Sequence, residues 1–338
     1  MIEFFLTFIE HFSDPRKRVF LGYIFLSIVI AFIWLVTIKK FSFQNASKFI
    51  FDKRIFFSDS SKSDFKLFFL NRIFLMFISP LLITQLAIAT VIYHFLHSIT
   101  PLNFGIFVQT PKLAIVTLFT LFVFVLDDFT KFIIHRWMHK WPVLWSLHKV
   151  HHSATKLTPL TIYRTHPLEG IVFTFRGSFT QGISISTFIF FFGNNVDLFT
   201  VIGVNVIVFC FNVAGSNLRH SHIGIRYWRW LEYIIISPAQ HQLHHSVAQK
   251  HYDKNFGATL AIWDWIFGSL NHSEDTEDLI LGVVQSGNVE PHNLYNLYVM
   301  PIIEICQIMG AKFKGISLFL KSKTKKNLKI KTTNHSNY

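Results

Sequence analysis

Long apolar stretches constrain this chain more than any other feature of it. Val19–Ile38 is twenty residues without a single Asp, Glu, Lys or Arg, long enough to cross the hydrocarbon core of a bilayer. Ile73–Leu96 is a second uncharged run, with Pro80 inside it, and Leu113–Leu126 a third that continues past Asp127 and Asp128. Further apolar runs cover Ile171–Phe192 and Val196–Ala214, parted by "GNN". A soluble domain rarely reaches 51% hydrophobic residues with 40 Phe in 338. The expected architecture is therefore an all-α, polytopic membrane protein with about four to five transmembrane helices.

The first run follows "PRKR" but exceeds a secretory signal core in length, and no small-residue cleavage site follows it, so it reads as a retained span. Cys210 and Cys306 are too few for a disulfide framework. The formal charge of +13 does not point to nucleic acid, because the basic residues flank apolar runs instead of forming one folded basic face. Eight lie between Lys39 and Arg72 and eight between Lys312 and Lys331. Such clusters mark the cytoplasmic side and meet anionic lipid. With the Lys39–Arg72 loop inside, the run from Leu113 returns to the cytoplasm and carries the first histidines there. Arg16, Lys17 and Arg18 then fall outside, against the rule, a conflict that an interfacial first segment removes. "RYWRWLEYIII" (Arg226–Ile236) reads as an interfacial helix, and Leu294–Met309 as a final amphipathic one. Three regions follow: 1–112 with the N-terminal spans and basic loop, 113–270 with the histidines, and 271–338 with the acidic loop, amphipathic helix and Lys-rich tail.

Imidazoles gather in two places. "HRWMHKWPVLWSLHKVHH" runs from His135 to His152, and "HQLHH" from His241 to His245. His135 and His139 are one helical turn apart on one face. His148, His151 and His152 repeat that logic at i, i+3 and i+4, as do His241, His244 and His245. Pro142 disfavours helix at Trp141, so the chain turns there and two short helices can face one another. A lone histidine on an apolar helix is usually a satisfied core or interfacial residue, and His94, His97, His272 and His292 take that reading. Eight packed together without metal would bury many donors and acceptors at about 1–3 kcal/mol each. Eight imidazoles on three segments suit two metal ions. No thiolate lies near the motifs, no carboxylate lies within them and "HExxH" is missing, which removes the zinc-finger and metalloprotease templates. Ligand type alone leaves iron, zinc, copper and nickel open.

"DDFTKFIIHRWMH", "LHKVHHS", "SPAQHQLHHS" and the closing "NFGATLAIWDWIFGS" resemble the histidine boxes of the sterol desaturase and fatty acid hydroxylase superfamily, over about Phe119 to Gly268. The resemblance implies a di-iron oxygenase acting on an unactivated C–H bond of a lipid, its site in a helical cap on the cytoplasmic side. It implies metal ligands at His135, His139, His148, His151, His152, His241, His244 and His245, with a ninth from "NLRHSHIG". There His220 and His222 are two apart and cannot share a helical face; His220 is the favoured ligand. Zinc can replace iron in isolated protein. Asp128, seven residues before His135, is expected to orient a box-one imidazole. Asp127 is expected to pair with Lys131. Arg164 and His166 in "YRTHPLE", with Asp264 in "WDWIFG", are further candidates for roles at the site. His166 reads either as a site residue or as a helix-start histidine before Pro167.

Without a flavin or nicotinamide fingerprint or a cysteine quartet, electrons would come from a separate donor of ferredoxin or cytochrome b5 type. Two other classes fit the ligands: a membrane dizinc hydrolase using metal-bound hydroxide, and a non-catalytic metal-handling membrane protein. The latter would spread ionisable residues along its spans instead of clustering them at one end.

Overall fold

The apolar runs become helices only in part, and the exceptions follow from local chemistry. The computed structural model describes residues 2–78, 84–99, 104–193, 196–201, 204–274, 279–284 and 290–312. Helix α1 (Ile2–Ser13) and α2 (Leu21–Thr37) precede α3 (Phe43–Ile50), the single turn α4 (Lys53–Phe56), α5 (Asp59–Ile78) and α6 (Gln85–Ile99). Then come α7 (Lys112–Lys140), α8 (Pro142–His152), α9 (Pro167–Phe192), α10 (Val206–Val213), α11 (Pro238–His244), α12 (Ile262–Ile266) and α13 (Leu294–Tyr298).

Among the described residues, α7 is the helix long and apolar enough to cross a membrane, with α2 and α6 shorter apolar helices. The run from Ile73 divides between α5 and α6, and Pro80 lies outside the described residues. The run from Val196 does not form a span. It makes a two-residue antiparallel hairpin, β1 (Thr200–Val201) on β2 (Val204–Asn205), before the eight residues of α10. Its polar groups are satisfied sideways on α7: Phe199 N donates to Thr120 Oγ1 and Asn205 Nδ2 to the Thr120 carbonyl. The Asn205 side chain then caps α10 by accepting from Ile207 N. The Arg226–Ile236 stretch holds only a 3-10 turn at Leu231–Tyr233, with Trp228 and Trp230 exposed and stacked. The C-terminal amphipathic segment is helical over Leu294–Tyr298 and 300–312, interrupted at Val299. The Lys-rich tail beyond 312 lies outside the described residues.

Prolines open three of the helices around the histidines. Pro142 opens α8 immediately after α7 ends, so the chain turns at Trp141. Pro167 opens α9 behind His166, and Pro238 opens α11 behind Ser237. A proline at this position loses no helical hydrogen bond and has its φ already set. "SPAQ" is also a capping box: Gln240 N donates to Ser237 Oγ and Ser237 N to Gln240 Oε1. Such a cap stabilises a helix by about 1 kcal/mol, which matters for one only seven residues long. Apolar packing then fixes the frame. Phe119 and Val123 of α7 bury against Phe188 of α9. Along α2, Ala31 and Leu35 pack on Leu218, Ile223 and Ile225.

Candidate metal centre

Nine of the chain's 18 histidines converge in two adjoining groups. His135, His139, His148, His152 and His244 form one; His151, His220, His241 and His245 form the other. Within each group one potential ligand atom per residue lies within 4.8 Å of all the others. Helix α8 feeds both, because His148 and His152 share one face while His151 is turned toward the second group. Helix α11 divides in the same way, sending His244 to the first group and His241 to the second.

Hydrogen bonding behind the rings fixes what faces inward. His135 Nδ1 donates to the Phe256 carbonyl at 2.8 Å and His244 Nδ1 to the Lys254 carbonyl at 2.7 Å. A carbonyl can only accept, so both rings carry their proton on Nδ1 and present a lone pair from Nε2. Those two Nε2 atoms stand 3.0 Å apart. Two lone pairs at that distance repel unless an electrophile lies against both. Two nitrogens about 2.1 Å from one ion, at right angles or tetrahedral, are about 2.9–3.4 Å apart. The Nε2 contacts of His220 with His151 (3.2 Å) and His241 (3.0 Å) have the same separation. In addition, His139 Nε2, His148 Nε2, His152 Nε2, His151 Nδ1, His241 Nδ1 and both nitrogens of His245 are buried without a partner. Each such atom costs about 1–3 kcal/mol if left unsatisfied. The donor set, its spacing and these orphaned atoms fit two metal ions.

The same enclosure keeps the imidazoles neutral and able to ligate. Burial first, and then the crowding of neighbouring imidazoles (for His220, Arg18), hold His148, His152, His220, His241, His244 and His245 well below the ordinary imidazole range and push His151 down to about 3. A recess of about 360 Å³ opens onto the five-histidine group, bounded by His139, His152, His244, Trp145 and Tyr252. A separate apolar cavity of about 230 Å³ lies between α2 and the segment after His220, lined by Ile24, Ile28, Leu157, Leu218 and Ile223.

The remaining candidate residues are placed differently from one another. His222 stands apart from both groups, its Nε2 facing the Phe49 carbonyl at 2.8 Å. Asp128 touches no imidazole. It accepts from Thr259 N, Leu260 N and Trp263 Nε1, bracing the loop whose Phe256 carbonyl backs His135. A carboxylate buried on a helix takes whichever donors reach it, and here these are backbone amides from 131 residues away. Asp264 holds the same loop, accepting from Phe256 N, Gly257 N and Ser269 Oγ. Gly257 is needed for that approach, since a Cβ there would sit 2.6 Å from the Leu260 carbonyl oxygen. Asp127 does pair with Lys131, and also with Arg176. Arg164 offers its guanidinium to neither group: it is fully buried in an ion pair with Asp64 at 3.0 Å, while its backbone lies near the His151 ring. His166 is the N-cap of α9, accepting from Leu168 N, and its Nε2 faces the Tyr298 carbonyl. Glu169 is the residue whose part the sequence alone left undefined: its Oε1 accepts from His148 Nδ1 at 2.7 Å. A carboxylate in the first turn of an apolar helix, directly after a histidine box, was the available signal.

Residues 120–269 match the fatty acid hydroxylase family. Human alkylglycerol monooxygenase is 26% identical over 177 residues, 51% of this chain and 36% of that protein. Delta(7)-sterol 5(6)-desaturase of Eremothecium gossypii is 25% identical, over 52% of this chain and 43% of its own. Ornithine lipid hydroxylase of Rhizobium tropici is 24% identical, over 47% and 44%. Through this histidine-bearing segment the chain is similar to members of the sterol desaturase and fatty acid hydroxylase superfamily. The matched segment spans less than half the length of these relatives. No solved structure matches the chain significantly.

Proposed function

We propose that the chain is a membrane-bound oxygenase that hydroxylates or desaturates an aliphatic position of a lipid, with two iron ions held by the nine grouped histidines. The observation that carries this reading is the pair of lone-pair nitrogens on His135 and His244, 3.0 Å apart inside a five-histidine group that adjoins a four-histidine one. Relatives that match the same segment include an alkylglycerol monooxygenase, a sterol desaturase and an ornithine lipid hydroxylase. The iron pair, when bound, supplies the chemistry that activates dioxygen; the protein supplies orientation, enclosure and electron access.

His135, His139, His148, His152 and His244 would hold one ion, and His151, His220, His241 and His245 the other. Glu169 and the Lys254 and Phe256 carbonyls keep three of these rings in the ligating tautomer. Asp128 and Asp264 act one step back, by fixing the loop that bears those carbonyls. Trp145 packs its ring on His139 and His152 at the recess, where it limits water. Substrate lipid would arrive from the bilayer, and electrons from a separate carrier of ferredoxin or cytochrome b5 type. Positive-inside placement of the basic loop puts the histidines on the cytoplasmic side of a multi-pass protein.

The test is metal analysis of protein purified without oxygen, combined with oxygen uptake in the presence of a reductant and a membrane-lipid extract. Expected are two iron ions per chain and lipid-dependent oxygen consumption. Ester or amide hydrolysis with bound zinc and no oxygen uptake would replace this reading with a hydrolase.

A further inference from the structure

The two histidine groups differ in what stands behind their rings. In the five-histidine group, three Nδ1 atoms donate to acceptors: His135 to the Phe256 carbonyl, His244 to the Lys254 carbonyl and His148 to Glu169. An acceptor behind a ring raises the basicity of its ligating nitrogen. In the four-histidine group, His241 Nδ1 and His245 have no such partner, and His151 Nδ1 makes no full hydrogen bond, with only the Arg164 backbone near its ring. Behind His220 is a cation: Arg18 Nη2 lies 3.3 Å from Nδ1.

Arg18 is an unusual neighbour for a metal ligand. Its Nη2 also donates to the Ser216 carbonyl at 2.6 Å, while its Nε is buried without a partner. A second guanidinium, Arg219, bonds the same Ser216 carbonyl and that of Ala258. Neither arginine makes an ion pair among the described residues. The Arg18 backbone is tied in place by Asn217 Nδ2, which donates to its carbonyl. Arg18 precedes α2 and lies outside the family-matched segment 120–269.

A guanidinium offers donors only. Facing Nδ1 of His220 at 3.3 Å, it competes for that atom's lone pair and so disfavours the Nδ1-protonated tautomer that would leave Nε2, the nitrogen pointing at His151 and His241, free to ligate. It also places a positive charge directly behind a ligand of a positive ion. We propose that Arg18 is a positioning residue that makes the four-histidine site the looser of two metal sites. One ion is held tightly by five imidazoles, three of them backed by acceptors. The other is held by four, one of them opposed by a cation, and is the ion that loads last and leaves first. This rests on the dimetal centre, not on the lipid chemistry proposed for it.

The experiment uses full-length protein loaded with Zn2+ and equilibrated against graded chelator, with zinc per chain counted at each step. Wild type should lose its two ions in separate steps, about tenfold apart in chelator strength. His241→Ala should retain one ion and show the tighter step only, which assigns the looser one. Arg18→Met removes the charge at similar length and should move the looser step about tenfold toward the tighter. Arg18→Lys keeps a cation and should leave the gap wide. Glu169→Gln should narrow the gap from the other side by loosening the tighter step. If Arg18→Met does not fold, Arg18→Gln reads the same shift. A single step in wild type overturns the proposal, and so does an Arg18→Met or Arg18→Gln protein whose looser ion is held no better. Zinc retention is read without lipid, reductant or oxygen, so failure of the oxygenase reading leaves this result standing.

Discussion

Two buried polar networks flank the histidines, and they do different work with similar parts. Around Asp128 and Asp264, carboxylates receive neutral donors: amides of Phe256, Gly257, Thr259 and Leu260, the Ser269 hydroxyl and the Trp263 indole. That network ends on two carbonyls that face imidazoles. Around Arg164, a full ion pair with Asp64 is surrounded by the carbonyls of Ser60, Val150 and Pro291, the Ser153 hydroxyl and His292. It ends on backbone, joining α5, the end of α8 and the 290–292 segment. A buried charge near a metal centre is thus not by itself part of the chemistry. What it touches decides.

The largest effects belong to residues that face inward from neither network. His148→Ala or His241→Ala should abolish turnover and bring bound metal below two ions per chain, read by elemental analysis on protein shown to be folded. Full activity in both variants would remove the ligand assignment. Next comes the ion pair. Arg164→Met leaves Asp64 buried without its cation and should cost about 3–5 kcal/mol of stability. Molecules that remain folded should still hold two ions. Adding Asp64→Leu should recover much of that loss, since a well-packed apolar pair can replace a buried ionic one. Metal loss in Arg164→Met without a fall in unfolding temperature would show that the two networks are not distinct.

Much of the site was legible because helical spacing and ligand chemistry are local. Eight of the nine grouped histidines stand in three boxes whose i, i+3 and i+4 spacing states which face they share. The turn at Trp141–Pro142 was also readable, from proline stereochemistry, whereas the spacing of two said only that His220 and His222 would part, and a ninth ligand from that pair came from the resemblance. The supporting groups were not, because their partners are distant in sequence. Nothing near Asp128 announces that its donors come from Thr259 and Leu260, or that Arg164 belongs to Asp64. The apolar run from Val196 misled for a related reason. Composition reports that a segment is apolar, not that Thr120 on another helix will take up its backbone groups as a hairpin. Arg18 reaches His220 across 202 residues, a contact no local pattern encodes.

Smaller effects sharpen the loop side of the comparison. Asp264→Asn keeps the shape but weakens the hold on Phe256 and Gly257, and should lower metal affinity about tenfold, with stability less affected than in Arg164→Met. Acid should act on the centre as a whole. Burial places the folded values of His148, His151, His152, His220, His241, His244 and His245 below the ordinary 6.5. The unfolded chain then binds protons first as pH falls. Stability is therefore full above 6.5 and is lost progressively below it, and ligation, which needs neutral rings, is lost in the same direction. Unfolding curves of metal-free and metal-loaded protein between about pH 8 and pH 5 should both decline, with the loaded form declining more steeply. A flat profile would contradict the buried-neutral state of the rings.

The smallest expected effect is at His222, and it tests how sharply the centre ends. His220 and His222 are separated by one residue, yet the extended Ser221 between them turns the second ring away. His222 packs against Phe49 and Phe56, and its Nε2 bonds the Phe49 carbonyl. That is a tie between the segment after His220 and α3, with no nitrogen offered to either group. His222→Ala should therefore cost about 0.5–1.5 kcal/mol of stability, the worth of one hydrogen bond, and leave both ions bound. His220→Ala, two positions earlier, should instead deplete the four-histidine site and stop turnover. Zinc per chain separates the two outcomes directly. If His222→Ala sheds an ion as readily as His220→Ala, the centre extends beyond its nine histidines, and the tie to Phe49 is part of how it holds metal.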